Sequence, residues 1–329
     1  MRRARVLPLT LALVLICAGC TSHSATSTSS PSHSDPAGGG WLAYQSVSPR
    51  GPDGIFLVRP DGSDDHEILL GVEGRRLHPD FSRDGRMLAF DQDDGGTDQV
   101  YVSSATGTRP RVVAPCPPAS CIQRWEPSWS PDGTRLAIAT TMPAALWRMG
   151  IAIIDVKTGV ITRIEEHASA EGQDHFPRWS PDGTHLVFWR GDADGERGDT
   201  AVFTVGVDGT GLKQLTDTAL VAGDPDYSPD GTRILFGTHP LLQYRSGQSE
   251  LFTMAPDGSD QRQLTSYGAS GPRATQPRWS PDGSKIVYTR TTQSGESRVI
   301  WEMNADGSDD KPLVDKKPVY THPVLQPAD

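Results

Sequence analysis

A six-residue motif, Trp-Ser-Pro-Asp-Gly-Thr, recurs along this chain with little change, and its spacing restricts the possible folds. Near-complete copies occupy 129–134, 179–184, 227–232 and 279–284, and a degraded copy, Phe-Ser-Arg-Asp-Gly-Arg, occupies 81–86. The serines of successive copies are 48, 50, 48 and 52 residues apart. A period of this length indicates a repeat architecture in which each unit is one supersecondary motif.

Each unit has the pattern of four short antiparallel strands. A Pro-x-aromatic-Ser stretch leads into Ser-Pro-Asp-Gly, which is a β-turn because proline presets φ and glycine supplies the open last position. Two apolar runs, a second glycine-containing turn and a final short run follow in every unit. We expect the aromatic residue to pack between neighbouring units, and the aspartate to accept hydrogen bonds within its own turn.

The two ends of the repeat region carry complementary fractions of a unit. Residues 41–70 match the last three strands of a unit, and Thr321–Pro327 matches the missing first strand. Pairing them completes a sixth unit and closes a ring, which protects the strand edges. The sequence therefore predicts an all-β fold: a six-bladed β-propeller of four-stranded antiparallel blades, closed by pairing of the C-terminal strand with the N-terminal blade.

This pattern resembles the TolB-like β-propeller family over residues 41–327. The resemblance implies a propeller that binds an envelope protein. TolB itself carries an α/β domain before its propeller, whereas residues 20–40 of this chain are predicted to be only a tether, so we transfer the fold and the binding role but not the Tol–Pal pathway. Related repeats occur in the propellers of prolyl oligopeptidases and dipeptidyl peptidases. Some similar propellers are lyases that act on acidic sugars with a histidine-bound metal.

The first forty residues have the composition of a targeting segment and a tether. Three arginines precede an apolar stretch, Pro8–Ala18, that is too short to span a bilayer. Residues 1–19 are therefore predicted to be a signal peptide. Ile16–Cys20 resembles a bacterial lipoprotein signal, which implies lipidation of Cys20; Cys17 replaces the usual leucine, so a secreted form stays open. Residues 20–40 predict a disordered tether before a propeller at 41–329.

The charge and the cysteines limit the class of partner and the compartment. The formal net charge is −10, and removal of the signal peptide makes it more negative. An acidic surface excludes nucleic acid and leaves membrane contact to the lipid anchor alone. We expect an extracytoplasmic monomer anchored in the cell membrane. Cys116 and Cys121 are predicted to form a disulfide, with a redox-active or metal-binding pair as the alternative.

Catalytic signatures are absent from the sequence, so we expect neither a catalytic residue nor a metal or cofactor. Two acidic loops, Asp91–Gly95 and Asp192–Glu196, leave a calcium site open as a minor alternative. The residue before each repeat proline is the candidate binding position, because equivalent positions in a closed ring converge near its axis. We expect these residues to begin the inner strands, at one channel mouth. The candidates are His78, Glu126, Asp224, Gln276 and His322, together with His175, which lies beside Phe176, the residue before Pro177.

Three functions are compatible with these features. The leading prediction is a non-enzymatic, lipid-anchored binding module that presents a face or channel mouth to an envelope protein, peptide or glycan. A metal-dependent, lyase-like envelope enzyme acting on a sugar or peptide at the channel is the second. An accessory or sensor lipoprotein for a neighbouring membrane protein is the third. For the six candidate residues, the alternative to a binding site is a capping or turn role in which they face water.

Overall fold

The computed structural model describes most of the repeat region. The described residues are 40–46, 53–96, 98–115, 123–142, 145–164, 172–192, 199–238, 249–268, 271–292, 297–314 and 320–328. The predictions for the signal peptide, the tether, Cys20 and the Cys116–Cys121 disulfide concern residues outside these ranges. Among the described residues, no helix has the length and apolar character needed to cross a bilayer.

Twenty-four strands form six four-stranded antiparallel sheets within the described ranges. Each sheet is one blade, whose strands follow one another from the channel outwards. Blade 1 comprises β24 (Tyr320–Leu325), β1 (Leu42–Ser46), β2 (Gly54–Val58) and β3 (His66–Ile68). Blade 2 comprises β4 (Arg75–Phe81), β5 (Met87–Asp93), β6 (Asp98–Ser104) and β7 (Arg111–Val112). Blade 3 comprises β8 (Arg124–Trp129), β9 (Arg135–Met142), β10 (Ala145–Asp155) and β11 (Ile161–Arg163).

The remaining three blades follow the same order. Blade 4 comprises β12 (Gly172–Trp179), β13 (His185–Asp192), β14 (Ala201–Gly206) and β15 (Lys213–Gln214). Blade 5 comprises β16 (Ala222–Tyr227), β17 (Ile234–Thr238), β18 (Leu251–Met254) and β19 (Arg262–Gln263). Blade 6 comprises β20 (Arg273–Trp279), β21 (Lys285–Thr291), β22 (Arg298–Asn304) and β23 (Lys311–Val314). The predicted six-bladed propeller is confirmed.

The C-terminal strand closes the ring as the complementary ends predict. β24 pairs antiparallel with β1, and Leu42 faces Leu325 in the register. Gln326 reinforces the closure, because its backbone N donates to Trp41 O at 2.7 Å and its Oε1 accepts from Trp41 N at 3.0 Å. Its Nε2 also donates to the carbonyl of Gly85 in blade 2 at 2.7 Å. The last strand is therefore fixed to two neighbouring blades.

Six apolar clusters make up the core, and each lies between two adjacent blades. The motif aromatics belong to these clusters, as expected: Trp179, for example, packs with Ile151 and Ile153 of blade 3 and with Phe188 of its own blade. Its side chain is 7% exposed. Burial of such large apolar surfaces between blades is the main favourable contribution to ring formation.

The Ser-Pro-Asp-Gly turns use their polar groups internally. In the copy at Ser130, the serine Oγ donates to Asp132 Oδ1 at 2.6 Å and accepts from Arg135 N at 2.9 Å. Asp132 Oδ1 also accepts from Thr134 N at 3.0 Å, and these hydrogen bonds, the serine's first, lower the pKa of Asp132 to about 2. The same serine–aspartate bond recurs in all five copies. The motif is therefore structural, as the sequence indicates.

Every inner strand contains an irregularity at the residue before its proline. The ladder between the first and second strands shifts register there in all six blades. These residues adopt φ between 48° and 59°, the left-handed region that non-glycine residues rarely occupy. They are His78, Glu126, Phe176, Asp224, Gln276 and His322. They lie inside the inner strands, so the expectation that they begin those strands was wrong; the bulge lets pairing continue past the proline.

Candidate functional site

The channel narrows to a constriction at these left-handed residues. The side chains of His78, Phe176, Asp224, Gln276 and His322 line it. The rings of His78 and His322 meet edge to face with centroids 4.5 Å apart, and Phe176 stacks on His322 at 5.6 Å. The cavity that remains has a volume of about 20 Å³, which is room for about one water molecule. Side chains therefore fill most of the channel at this level.

Hydrogen bonds between blades hold the constriction together. Glu126 Oε2 accepts from Phe176 N at 2.7 Å, and Asp224 Oδ2 accepts from Gln276 N at 3.1 Å. Gln276 Oε1 accepts from His322 N at 3.2 Å. In each pair, the side chain of one left-handed residue satisfies the backbone amide of its counterpart in the next blade. These bonds are inter-blade caps, a role close to the capping alternative considered from sequence, although the groups are shielded from water.

The two histidines of the constriction differ in proton affinity. His78 Nδ1 lies 2.8 Å from Asp91 Oδ1, which also accepts from Glu126 N at 3.0 Å. Burial lowers the pKa of His78, but the charge and hydrogen bond of Asp91 outweigh it and the net shift is upward. Burial, with the positive charges of His78 and Arg178, lowers the pKa of His322 well below its usual value. Of the two histidines, His78 therefore has the higher proton affinity.

Glu126 and His175 form a separate pair beside the constriction. His175 Nδ1 lies 3.3 Å from Glu126 Oε1, and its ring stacks on Trp189 with centroids 4.4 Å apart. Burial raises the pKa of Glu126, but His175 and then His78 outweigh it, and the net shift is downward. Four of the six candidates thus share one small cavity, whereas Glu126 and His175 lie between blades 3 and 4.

The wide mouth of the channel lies on the face formed by the Ser-Pro-Asp-Gly turns. We call it the turn-face funnel; it has a volume of about 450 Å³, and all six blades contribute to its wall. It is lined by the second residue after each left-handed position, by the motif aromatics and by the turn prolines. These include Asp80, Arg178, Asp226, Arg278, Trp129, Trp179, Trp279, Pro131, Pro181, Pro229 and Pro281.

The degraded motif copy changes one side of this funnel. Arg83 stands where the other copies have proline, and it also lines the funnel. Its Nη1 donates to the carbonyl of Pro181 at 3.3 Å, a contact between blades 2 and 4. The loss of proline in this copy therefore places an exposed guanidinium at the rim.

Charged side chains form the funnel floor, and Arg278 is fully paired there. It forms an ion pair with Asp80, and its Nε lies 3.6 Å from Asp226 Oδ2. Both carboxylates also accept backbone amides of motif tryptophans at 2.9 Å, Asp80 from Trp129 and Asp226 from Trp279. Burial lowers the pKa of Arg278, but Asp226 and Asp80 outweigh it and the net shift is upward.

Arg178, the second arginine of the floor, is in a different environment. Its Nη1 donates to the carbonyls of Pro127 and Pro177 at 3.4 and 3.3 Å, and the residue is 8% exposed. Burial, and then the charge of Arg278, lower the pKa of Arg178 to about 10. The guanidinium is therefore still charged at neutral pH.

The wide mouth differs from the one expected from sequence. Of the candidates before the prolines, His78, Asp224, Gln276 and His322 lie in the constriction, and Glu126 lies beside it between blades 3 and 4. The funnel floor is instead formed by the x residue of Pro-x-aromatic-Ser, which our sequence reasoning missed. A signal was present: x is charged in four of the five motif copies, whereas the positions around it are apolar or invariant. The four charged residues are Asp80, Arg178, Asp226 and Arg278.

The metal and calcium alternatives have no cluster of possible ligands among the described residues. In the part of the chain that is described, no three His, Cys, Asp or Glu side chains are placed to hold one ion. Asp93 and Asp94, of the first calcium loop, accept the amides of Gly95 and Gly96 at 2.8 and 3.0 Å. The second calcium loop lies largely outside the described ranges, so calcium binding stays untested.

Fold and site together define a class: six-bladed β-propellers whose channel is constricted midway and opens widely on one face. The family model described as TolB beta propeller domain matches residues 124–328. The chain belongs to this family.

Two relatives illustrate the extent of the similarity. The chain is 28% identical over 215 residues to the uncharacterized protein Atu1656 of Agrobacterium fabrum, covering 64% of this chain and 68% of that protein. It is 27% identical over 244 residues to the Tol-Pal system protein TolB of Francisella tularensis subsp. mediasiatica, covering 74% of this chain and 52% of that protein. The chain therefore spans about half the length of that TolB.

Solved structures agree on the fold. TolB from Acinetobacter baumannii superposes with a TM-score of 0.68 at 19% identity, covering 88% of this chain and 67% of that one. An oligogalacturonate lyase in complex with manganese superposes with a TM-score of 0.54 at 16% identity, covering 83% of this chain and 73% of that one. At these identities the likeness is one of fold alone. TolB and an oligogalacturonate lyase share this fold, so the fold does not decide function.

Proposed function

We propose that this protein is an exported, lipid-anchored binding module that presents the turn-face funnel to a protein or peptide of the cell envelope. The observation that carries the proposal is the funnel itself: a cavity of about 450 Å³ on the axis, with arginines and carboxylates at its floor. A concave site with a few convergent polar groups is the usual form of a ligand site. Similarity to TolB supports a protein or peptide as the partner.

The funnel is better suited to an inserted segment than to a flat protein contact. Its volume matches that of pockets that hold a short peptide or a small ligand, on the order of 300–1,000 Å³. The turns that form its rim are rigid, because each is held by serine and aspartate hydrogen bonds within the motif. Rigid walls reduce the entropy cost of binding.

A pull-down with matched variants tests the proposal. The full-length chain, solubilised in detergent, is immobilised and exposed to envelope extract. Pro229→Trp places a large ring at the funnel rim, and Pro256→Trp makes the same change in a turn outside the funnel lining. We expect one envelope protein to be recovered by the wild type and by Pro256→Trp, and lost with Pro229→Trp. Recovery of nothing above background would contradict the binding module, and equal recovery by both variants would contradict the funnel as its site.

The anchor is tested separately. Cys20→Ser should move the protein from the membrane fraction to the soluble envelope fraction, because a single cysteine carries the proposed lipid. Retention of Cys20→Ser in the membrane fraction would contradict lipid anchoring at this residue while leaving the binding module intact.

The enzyme alternative also has a direct test. His78 and His322 are the adjacent imidazoles of the channel, but the described residues around them do not complete a metal-ligand set. Metal analysis of the purified full-length protein should find less than one bound transition metal per chain. One equivalent that is lost in the His78→Ala, His322→Ala double variant would favour an enzyme over the binding module.

A further inference from the structure

The two arginines of the funnel floor occupy equivalent positions in blades 4 and 6, but they have unequal partners. Arg278 is bound by the carboxylates of both Asp80 and Asp226. The described ion pairs include none for Arg178. One positive charge on the floor is thus compensated by direct contact, and the other is not.

Arg178 also has hydrogen-bond capacity to spare. A guanidinium has five N–H donors, and the described bonds of Arg178 are two long ones from Nη1 to backbone carbonyls. Its Nε and Nη2 have no partner among the described residues. A charged group that is 92% buried normally has its donors satisfied, because desolvation without compensation is costly. Arg178 lines both the constriction and the funnel, so its free donors are within reach of a ligand in the funnel.

We propose that the turn-face funnel binds an acidic side chain of a peptide segment, and that Arg178 is the residue that holds it. This inference rests on the proposed binding function and names the chemistry of the partner. The planar guanidinium matches a carboxylate in a two-point contact. Asp80 and Asp226 lie near the same floor, so the site suits one negative charge better than the two of a phosphate.

A peptide fits the funnel walls better than an acidic sugar does. Sugar sites commonly offer an exposed aromatic face on which a pyranose ring can stack. The tryptophans that line the funnel, Trp129, Trp179 and Trp279, are only 7–9% exposed because their rings pack between blades. The rim is formed instead by prolines and by Arg83, which adds a further cation to the funnel wall. A peptide can pack its backbone and apolar side chains against such walls.

Charge also explains why the site would be selective. The chain has a net charge of −10, so an acidic segment is repelled by most of the surface. At the funnel floor, the buried guanidinium of Arg178 attracts an acidic side chain instead, and its low-dielectric surroundings strengthen this attraction.

A peptide selection on the full-length protein tests this proposal. A random heptapeptide library is passed over immobilised wild type, and the best binder is then synthesised with its acidic residue as Glu and as Gln. Both peptides are titrated against wild type, Arg178→Gln and Arg109→Gln, the last an exposed arginine outside the funnel lining that gives the same change in charge. We expect acidic residues to be enriched in the selection. We also expect the Glu peptide to bind wild type and Arg109→Gln about 10–100-fold more tightly than Arg178→Gln.

The possible failures separate this inference from the proposed function. Peptides that are selected without acidic enrichment, or that bind Arg178→Gln as tightly as wild type, would overturn the carboxylate site and leave the binding module standing. No peptide above background would overturn both. Tighter, Arg178-dependent binding of a hexuronic acid oligomer would overturn the peptide assignment and favour a glycan.

A stability measurement excludes a purely structural role for Arg178. Because its charge is buried without an ion pair, Arg178→Met should fold with a melting temperature equal to or above that of wild type. A melting temperature well below wild type, together with unchanged peptide selection, would show that Arg178 acts in the fold and not in binding.

Discussion

Substitution of a motif tryptophan measures what the repeated motif does in this ring. Trp179 is 7% exposed and packs between blades 3 and 4. Trp179→Ala removes this contact and leaves a cavity, which costs about 3–5 kcal/mol for a residue of this type. At about 2 °C per kcal/mol for a domain of this size, the melting temperature should fall by about 6–10 °C.

A comparison of two Trp→Phe variants separates packing from hydrogen bonding. Trp179 Nε1 donates to Ser128 O at 3.1 Å, whereas the buried Nε1 of Trp279 has no described partner. Both variants lose similar apolar area. Trp179→Phe also loses a hydrogen bond, and Trp279→Phe removes an unsatisfied buried donor. Trp179→Phe should therefore be more destabilising than Trp279→Phe, by about 1–3 kcal/mol.

Thermal unfolding of the full-length protein, followed by circular dichroism, measures both effects, and the pull-down is repeated on each variant. Loss of binding by Trp179→Ala at an unchanged melting temperature would refute the structural interpretation of the motif. Equal melting temperatures for the two Trp→Phe variants would refute the role given to the Ser128 bond.

Three other predictions follow from the ring and its constriction. Deletion of residues 320–329 removes β24 and leaves β1 as an open edge, so cooperative thermal unfolding should be lost, whereas deletion of 328–329 alone should not change it. Glu126→Ala leaves the buried Phe176 amide without its acceptor and should lower the free energy of unfolding, measured in urea, by about 2 kcal/mol. Glu126→Gln keeps an acceptor and should lower this free energy less. Equal losses in the two variants would contradict the inter-blade cap formed by Glu126. Because the pKa of His322 is lowered in the folded state, the unfolded state binds more protons below about pH 6.5 and stability falls as the pH drops through that value. His322→Gln should therefore lose less stability than wild type between pH 7 and pH 5. An equal loss of stability would show that other groups cause the acid sensitivity. The raised pKa of His78 has the opposite effect on stability, but His78 is present in both proteins.

Much of the fold was predictable because its information is local. The turn chemistry of Ser-Pro-Asp-Gly and the alternation of short apolar runs specify strands and turns within about ten residues, and the period counts the units. Closure was also readable, since Thr321–Pro327 has the pattern of an inner strand that the first unit lacks. The structure confirms both. The left-handed conformation before each proline was not readable, because proline normally moves the preceding residue to extended backbone.

By itself, the sequence determined the number of blades, the order of strands in each and the structural role of the repeated motif. Tertiary structure decided where the channel is open and which charges are neutralised there. Arg178 and Arg278 occupy the same place in the repeat and cannot be told apart by local pattern. Their difference arises across the axis, where Arg278 forms an ion pair with Asp80, 198 residues away in the chain, and Arg178 forms no ion pair among the described residues. Ring closure brings together residues that are far apart in the chain, and such pairs leave no periodic pattern in the sequence. The candidate binding site could therefore be identified only in the folded ring.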